Sequence, residues 1–219
     1  MSPRTMGVLQ SLAMTVLLGL VLFGLAQRWD VAGFWVFLLL WFLARLMAIM
    51  AADPDLIRER ARPGGRFRPE TLVALAFPMA QLVIAALDVG HWRIGTGVPA
   101  WLQVLGGIGF VMGGWLTAAA IQANRYFSSV ARVQEDRGQT TIGTGPYRVV
   151  RHPGYAAALL VSASSGALLG SWLSYLPALA WAGMVLWRLR REEAMLAARL
   201  PGYADYAQAV RWRVVPGVW

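Results

Sequence analysis

The chain is expected to fold as an all-α, polytopic integral membrane helical bundle, and three observations lead there. Apolar residues make up 58% of it and charged residues only 14%, with a mean hydropathy of +0.51. That balance is wrong for a soluble globule of 219 residues. Apolar runs of about 20 residues, the length a helix needs to cross a bilayer, recur along the chain. All 20 basic residues are arginine, and they gather between those runs. The formal net charge of +9 therefore reads as membrane topology rather than as a nucleic-acid surface. The absence of cysteine excludes disulfides, thiol catalysis and thiolate metal sites. His91 and His152 are the only imidazoles, so no histidine-based metal site is expected.

About six apolar segments follow in order. The first runs from Gly7 to Gln27, too long for the apolar core of a signal peptide and without a small-residue cleavage site after it. The second covers Val31 to Ala52, the third Thr71 to Val89 and the fourth Pro99 to Gln122. The fifth, Gly154 to Leu169, and the sixth, Trp172 to Trp187, are separated only by "GS". They read as a tight C-terminal helical hairpin, each arm slightly short for a full span. In the fourth segment Gly109 and Gly113 make a small-xxx-small pair, and "SASSG" at 162–166 offers a matching surface; both read as helix packing. Arg45 and Asp88 fall near segment ends, where snorkelling accounts for them. The chain divides into N-terminal membrane helices, residues 1–122, and a C-terminal unit of loop, hairpin and tail, residues 123–219.

The loops set the orientation. "DPDLIRERARPGGRFRPE" between segments two and three carries five arginines, as does the loop between segments four and five. With Arg4 and the six arginines after segment six, one side holds 17, against Arg28 and Arg93 on the other. The positive-inside rule then places both termini and both long loops in the cytoplasm. The alanine-rich, lysine-free composition suits a GC-rich bacterial source, hence the bacterial cytoplasmic membrane.

One stretch breaks the apolar pattern: "GTGPYRVVRHPGY", residues 143–155. Gly143 and Gly145 permit backbone conformations closed to other residues. Pro153 disfavours the helical region at His152 and suits the first turn of segment five. Arg151 and His152 are thereby held just before a helix N-terminus, whose free N–H groups suit a carboxylate or another polar cofactor group. An interfacial anchor, with Tyr147 and Tyr155 in an aromatic belt and arginines on lipid headgroups, uses the same residues. Glu192 and Glu193 follow segment six beside Arg188, Arg190 and Arg191. Because the hairpin is tight, this acid pair is expected to meet the 143–155 stretch at the cytoplasmic face.

"GPYRVVRHPGY", then "EE" after 36 further residues, then two tyrosines and "VVPG", resemble the isoprenylcysteine carboxyl methyltransferase family. That family lies within a wider group of integral membrane methyltransferases that includes the phospholipid N-methyltransferases. The resemblance covers residues 120–217, with "DPDLIRERARP" similar to a loop of the family. It implies S-adenosyl-L-methionine bound at a cytoplasmic cofactor site and a lipid-like acceptor delivered from the bilayer. It carries over Gly143, Gly145, Tyr147, Arg151, His152, Pro153 and Tyr155 as the donor-binding loop, and Glu192 and Glu193 as the acids on the donor. Where the family has Phe-Gly before its first tail tyrosine, this chain reads "LPGYADY", so Tyr203 and Tyr206 are not carried over.

The chemistry agrees with that implication. Glu192 or Glu193 can accept from the donor's amino or ribose groups, while Arg151, His152 and the helix N-terminus can hold its carboxylate. Arg151, His152 and Glu193 are the candidate catalytic residues. A carboxylate acceptor needs no base; a phenol or amine would need His152 or Glu193. Of the two acids, adjacent and about 100° apart on a helix, Glu193 is the expected donor contact and Glu192 the partner of an arginine. A lipid phenol, a phospholipid amine or a small thiol remains open as acceptor. The rivals are a membrane NADPH-dependent reductase and a non-catalytic lipid-binding scaffold.

Single cysteines added to this cysteine-free chain test the topology. Gly64→Cys and Gly138→Cys should stay unlabelled by an impermeant maleimide on intact cells, and Gly95→Cys should label. The reverse pattern would invert the orientation.

Overall fold

The structure is a computed structural model that describes residues 2–61 and 69–219. Arg62, Arg66 and Arg68 of the first arginine-rich loop lie outside the described residues. Among the described residues the regular structure is entirely helical. α1 (Pro3–Ala26) starts where the Ser2 hydroxyl accepts from the Thr5 amide at 3.1 Å and Pro3 takes the first turn. α2 (Ala32–Ala51) follows. α3 (Pro54–Ala61) is helix where the sequence reading has loop. The Asp53 carboxylate caps it by accepting from Leu56 N at 2.7 Å, and Leu56, 0% exposed, packs on Ala48, Ala52 and Ile121. Hydropathy does not show a short polar helix held by one buried leucine.

α4 (Pro69–Leu87) runs into a π-helical turn, Asp88–Trp92, and α5 (Ala100–Ala123) crosses back. α6 (Pro153–Leu168), α7 (Tyr175–Arg199) and the short α8 (Tyr203–Ala209) complete the chain. Among the described residues four stretches are long and apolar enough to cross a membrane: Pro3–Ala26, Ala32–Ala51, Leu75–Trp92 and Ala100–Ala123. The chain is an integral membrane protein with these four candidate spans, two fewer than the six apolar segments suggest. α6 has only 16 residues. α7 has 25 but continues through Arg188, Arg190, Arg191, Glu192 and Glu193 instead of ending near Trp187.

The core lies where α1, α2, α4 and α5 meet α6, around Leu22, Phe34, Phe37, Phe110 and Leu168. Leu20, Leu39, Val104 and Trp115 stay exposed on the outer faces, as a bilayer in place of water requires. α6 lies most closely on α5. A Cβ on Gly109 would come within 2.3 Å of Ser164 Oγ, and one on Gly113 within 2.6 Å of a Val161 methyl. The small-residue surfaces of the two segments therefore do mate, letting the backbones approach without side chains between them.

The α6–α7 connection is longer than "GS": residues 169–174 form it, and α7 packs mainly on α4 rather than closing tightly on α6. Asp88 explains why. It is 0% exposed and does not snorkel. One carboxylate oxygen accepts from the amides of Ile94 (3.1 Å) and Gly95 (2.8 Å), and the other from the Ser171 hydroxyl at 2.6 Å. Trp172 N donates to Gly95 O at 2.8 Å. One buried acid thus ties the end of α4 to the α6–α7 connection. It also makes Gly95 a crowded position, 2.7 Å from Asp88 Oδ2 if given a Cβ, so Ile94, 77% exposed, is the better site for a topology label.

Asp88→Ala should strand two amides and a serine hydroxyl, at roughly 1–3 kcal/mol for each orphaned group. The check is the melting temperature of purified protein, where a change smaller than that of a lipid-facing control such as Leu39→Ala would remove Asp88 from this role.

Candidate active site

Stretch 143–155 returns to the bundle at the ends of α5, α6 and α7 that also carry the acid pair. Gly145 opens a 3₁₀ turn, Gly145–Arg148, at φ +56°, a conformation that favours glycine. His152, at φ −128° and ψ 63°, stands outside α6 as its cap, and Pro153 takes the first turn. Gly154 admits the Phe127 ring, which a Cβ would meet at 2.4 Å. Gly143 rests beside the Tyr206 ring. Gly143, Gly145 and Pro153 shape the backbone, and none of them lines the cavity described below.

Arg151, 7% exposed, engages every guanidinium nitrogen within the chain. Nε and Nη2 meet Glu193 Oε1 at 2.6 and 2.5 Å. Nη1 donates to the carbonyls of Ala207 (3.2 Å), Val210 (2.8 Å) and Arg211 (2.9 Å). The Arg151 and His152 amides donate to Trp212 O and Arg213 O at 2.8 and 2.9 Å. The guanidinium expected to meet a donor carboxylate is therefore consumed in fastening the tail. Glu193 completes the node by accepting from Arg213 Nε at 2.5 Å. Burial pushes the Glu193 carboxyl up, but the bonds from His152, Arg213 and Arg151 outweigh it and hold it at about 2, against an ordinary 4.5.

Glu192 faces the other way, into a cavity of about 410 Å³, within the size range of pockets for drug-sized ligands. Tyr155 donates its hydroxyl to Glu192 Oε2 at 2.6 Å. Tyr147, Arg151, His152 and Tyr155 also reach the wall; Glu193 does not. His152 is 7% exposed, with Nε2 3.4 Å from the Tyr203 hydroxyl and 3.8 Å from Glu193. The acid pair and the stretch 143–155 are thus brought together, with the acids in opposite roles to those expected from sequence: Glu193 pairs with arginine and Glu192 meets the open volume.

Sequence reasoning missed three parts of the wall. Tyr203 and Tyr206 of α8 line it. Tyr206 donates to Tyr147 O at 2.8 Å, and burial pushes the Tyr206 hydroxyl up to about 12. The loop 126–142 folds over the opening through Gln134, 1% exposed, whose amide donates to Tyr126 O at 2.7 Å. Arg132 pins that loop to α3 by bridging Glu59 (3.0 Å) and Asp136 (2.6 Å). Along α7, Trp181, Val185, Arg188 and Glu192 form one stripe facing the cavity. Their three- and four-residue spacing was the available signal. Trp181 Nε1 is buried there without a hydrogen-bond partner. Among the described residues no three His, Cys, Asp or Glu side chains converge as a metal ion would need.

Most of the wall of this polar cavity comes from the C-terminal half of the bundle, the part of the chain that is similar to integral membrane methyltransferases. Residues 101–201 match the model of the phospholipid methyltransferase family, which is part of that group. Over 128 residues the chain is 33% identical to the cobalt-zinc-cadmium resistance protein CzcN of Cupriavidus metallidurans, covering 58% of this chain and 55% of that protein. The chain thus spans about half the length of that curated relative.

The node has a pH signature. Because Glu193 is held at about 2 rather than 4.5, its contribution to stability is fully present above pH 4.5 and is lost as the pH falls toward 2. Glu193→Gln should leave Arg151 buried without its counter-charge, at about 3 kcal/mol or more, and flatten the acid side of a stability–pH curve. A parent-like melting temperature and acid limb in that variant would show that the node carries no stability.

Proposed function

We propose that the chain transfers a methyl group from S-adenosylmethionine to an amphiphilic acceptor that reaches the cavity from the bilayer. The supporting observation is the two-ended character of the cavity, most of whose wall comes from the family-matched region. Its loop-and-tail end presents Gln134, Thr141, His152, Glu192 and Tyr203, and its helical end presents Ala158, Trp181, Met184 and Val185. A water-soluble donor and a lipid chain can therefore share one volume.

The residues present suit that donor, which supplies an activated methyl group on a sulfonium. Glu192 has one oxygen occupied by Tyr155 and another to accept an amino or ribose hydroxyl proton. Arg188, one turn before Glu192 on the same face, is held by donating to Ser129 O at 2.9 Å and supplies positive charge for a carboxylate. With Arg151 engaged elsewhere, Arg188 and His152 take the part first given to Arg151 and His152. The rings of Tyr147, Tyr155, Tyr203 and Tyr206 offer π faces to a sulfonium. The orphaned Trp181 N–H points to a polar group expected among the apolar side chains. In-line displacement depends on alignment more than on acid–base groups, so the rigid wall around Glu192 and Tyr155 is the main catalytic device. An acceptor carboxylate needs nothing more; an amine or phenol has His152 as its nearby base.

Calorimetry on the purified protein separates the readings. S-adenosylhomocysteine should bind and NADPH should not; the opposite result would make the chain a reductase, and binding of neither would leave a lipid-binding scaffold. His152→Ala should weaken S-adenosylhomocysteine by the value of a hydrogen bond to a charged group, roughly 1.5–3 kcal/mol, about ten- to a hundredfold. Glu192→Gln should also weaken it while leaving the ligand-free melting temperature unchanged. Parent-like affinity in both variants would return the site to the interfacial-anchor reading.

A further inference from the structure

A second cavity, also about 410 Å³, opens among α1, the end of α2, α3 and α5. Its wall is largely apolar, with Met6, Ile49, Ile57 and Ile121 among the lining side chains. Among the described residues it also presents three arginines, Arg45, Arg58 and Arg60, and no carboxylate. Arg58 is neutralised by Asp55 at 2.8 Å. Arg45 and Arg60 form no ion pair among the described residues: Arg45 lies over the Trp41 ring at 5.9 Å, and Arg60 lies over the Phe127 ring at 5.2 Å while donating to Phe127 O at 3.0 Å. Neighbouring Glu59 is turned toward Arg132.

We propose that this cavity binds the anionic headgroup of an acidic membrane lipid between Arg45 and Arg60, with its acyl chain along the apolar wall. Two like charges facing one small, mostly apolar volume repel each other and favour an entering counter-charge. Burial, with the Arg45 charge added, already lowers Arg60 to about 10. Guanidinium forks match phosphate and carboxylate oxygens in pairs. Arg45 is exposed and Arg60 half-buried, so an entering headgroup can reach both. The occupant is a lipid rather than a free anion because Arg45 stands on a candidate membrane span, Ala32–Ala51. Basic pockets between membrane helices are a recurrent way of holding acidic headgroups. Arg60 and Thr117 also line the first cavity, so a bound headgroup lies one side chain away from the volume assigned to methyl transfer. The proposal stands on binding alone and does not require that assignment.

The test uses the full-length protein in a nonionic detergent. Dihexanoyl phosphatidic acid, dihexanoyl phosphatidylcholine and inorganic phosphate are titrated separately, with melting temperature and tryptophan fluorescence as readouts. Phosphatidic acid should bind saturably, with phosphatidylcholine and phosphate at least tenfold weaker. Arg45→Gln should lower the phosphatidic acid affinity at least tenfold, Arg60→Gln should do the same, and Arg58→Gln should not. Arg45→Gln should keep the parent's response to S-adenosylhomocysteine, which reports an intact fold separately from the lipid site. Three results would overturn the proposal: parent-like phosphatidic acid binding in Arg45→Gln, equal binding of phosphatidylcholine, or inorganic phosphate binding as tightly as the lipid. Failure of S-adenosylhomocysteine to bind any form would sink the methyltransferase reading while leaving the lipid measurement intact.

Discussion

Glu193 is the carboxylate that lets Arg151 leave water and holds Arg213 beside it, and the C-terminal architecture depends on it. Through Arg151 it fixes the entry to α6, and through Arg213 it fixes the tail. Neutralised in this way, Arg151 can spend its remaining nitrogen on three carbonyls at the end of α8. Those are groups that a helix C-terminus leaves without intrahelical partners, and a cation is favoured there. Position follows from charge: with α8 anchored, Tyr203 and Tyr206 stand over His152 and Tyr147 and close one side of the cavity. An apparently redundant acid pair is therefore a division of labour between neighbours on one helix.

Much of the fold was legible because its driving force is local. Long apolar runs mark α1, α2, α4 and α5, and Pro153 marks the start of α6 through its ring and missing N–H. The failures share one physical cause, tertiary capture of polar groups. α3 exists because Leu56 finds a buried place and Asp53 a helix end. The "GS" joint opened because Asp88 needs the Ser171 hydroxyl. α7 continues through a charged run because those side chains meet partners from other elements, Ser129 O for Arg188 and Arg151 for Glu193.

The pattern anticipated that the acid pair would meet the 143–155 stretch, but not which acid faces the cavity. Adjacency in sequence says that Glu192 and Glu193 diverge, but which one faces inward depends on where the tail lies. Arg151 looked available because the carbonyls that occupy it come from residues 207–211, distant in sequence. The stripe from Trp181 to Glu192 was readable as helical spacing, and was hidden only by ending the helix at Trp187.

The glycine-lined seam between α5 and α6 has a mechanical consequence. With Ser164 and Val161 filling the places where side chains would otherwise stand, the two helices have no compressible layer between them and must shift as one body. α7 rests more on α4 than on α6, while carrying the cavity face from Trp181 to Glu192. The compliance of the pocket is therefore graded: the Tyr155–Glu192 bond and the Arg151–Glu193 pair clamp the charged end of α7 to this stiff two-helix plate, which leaves the overlying loop and the Trp181 end of α7 to take up changes in volume.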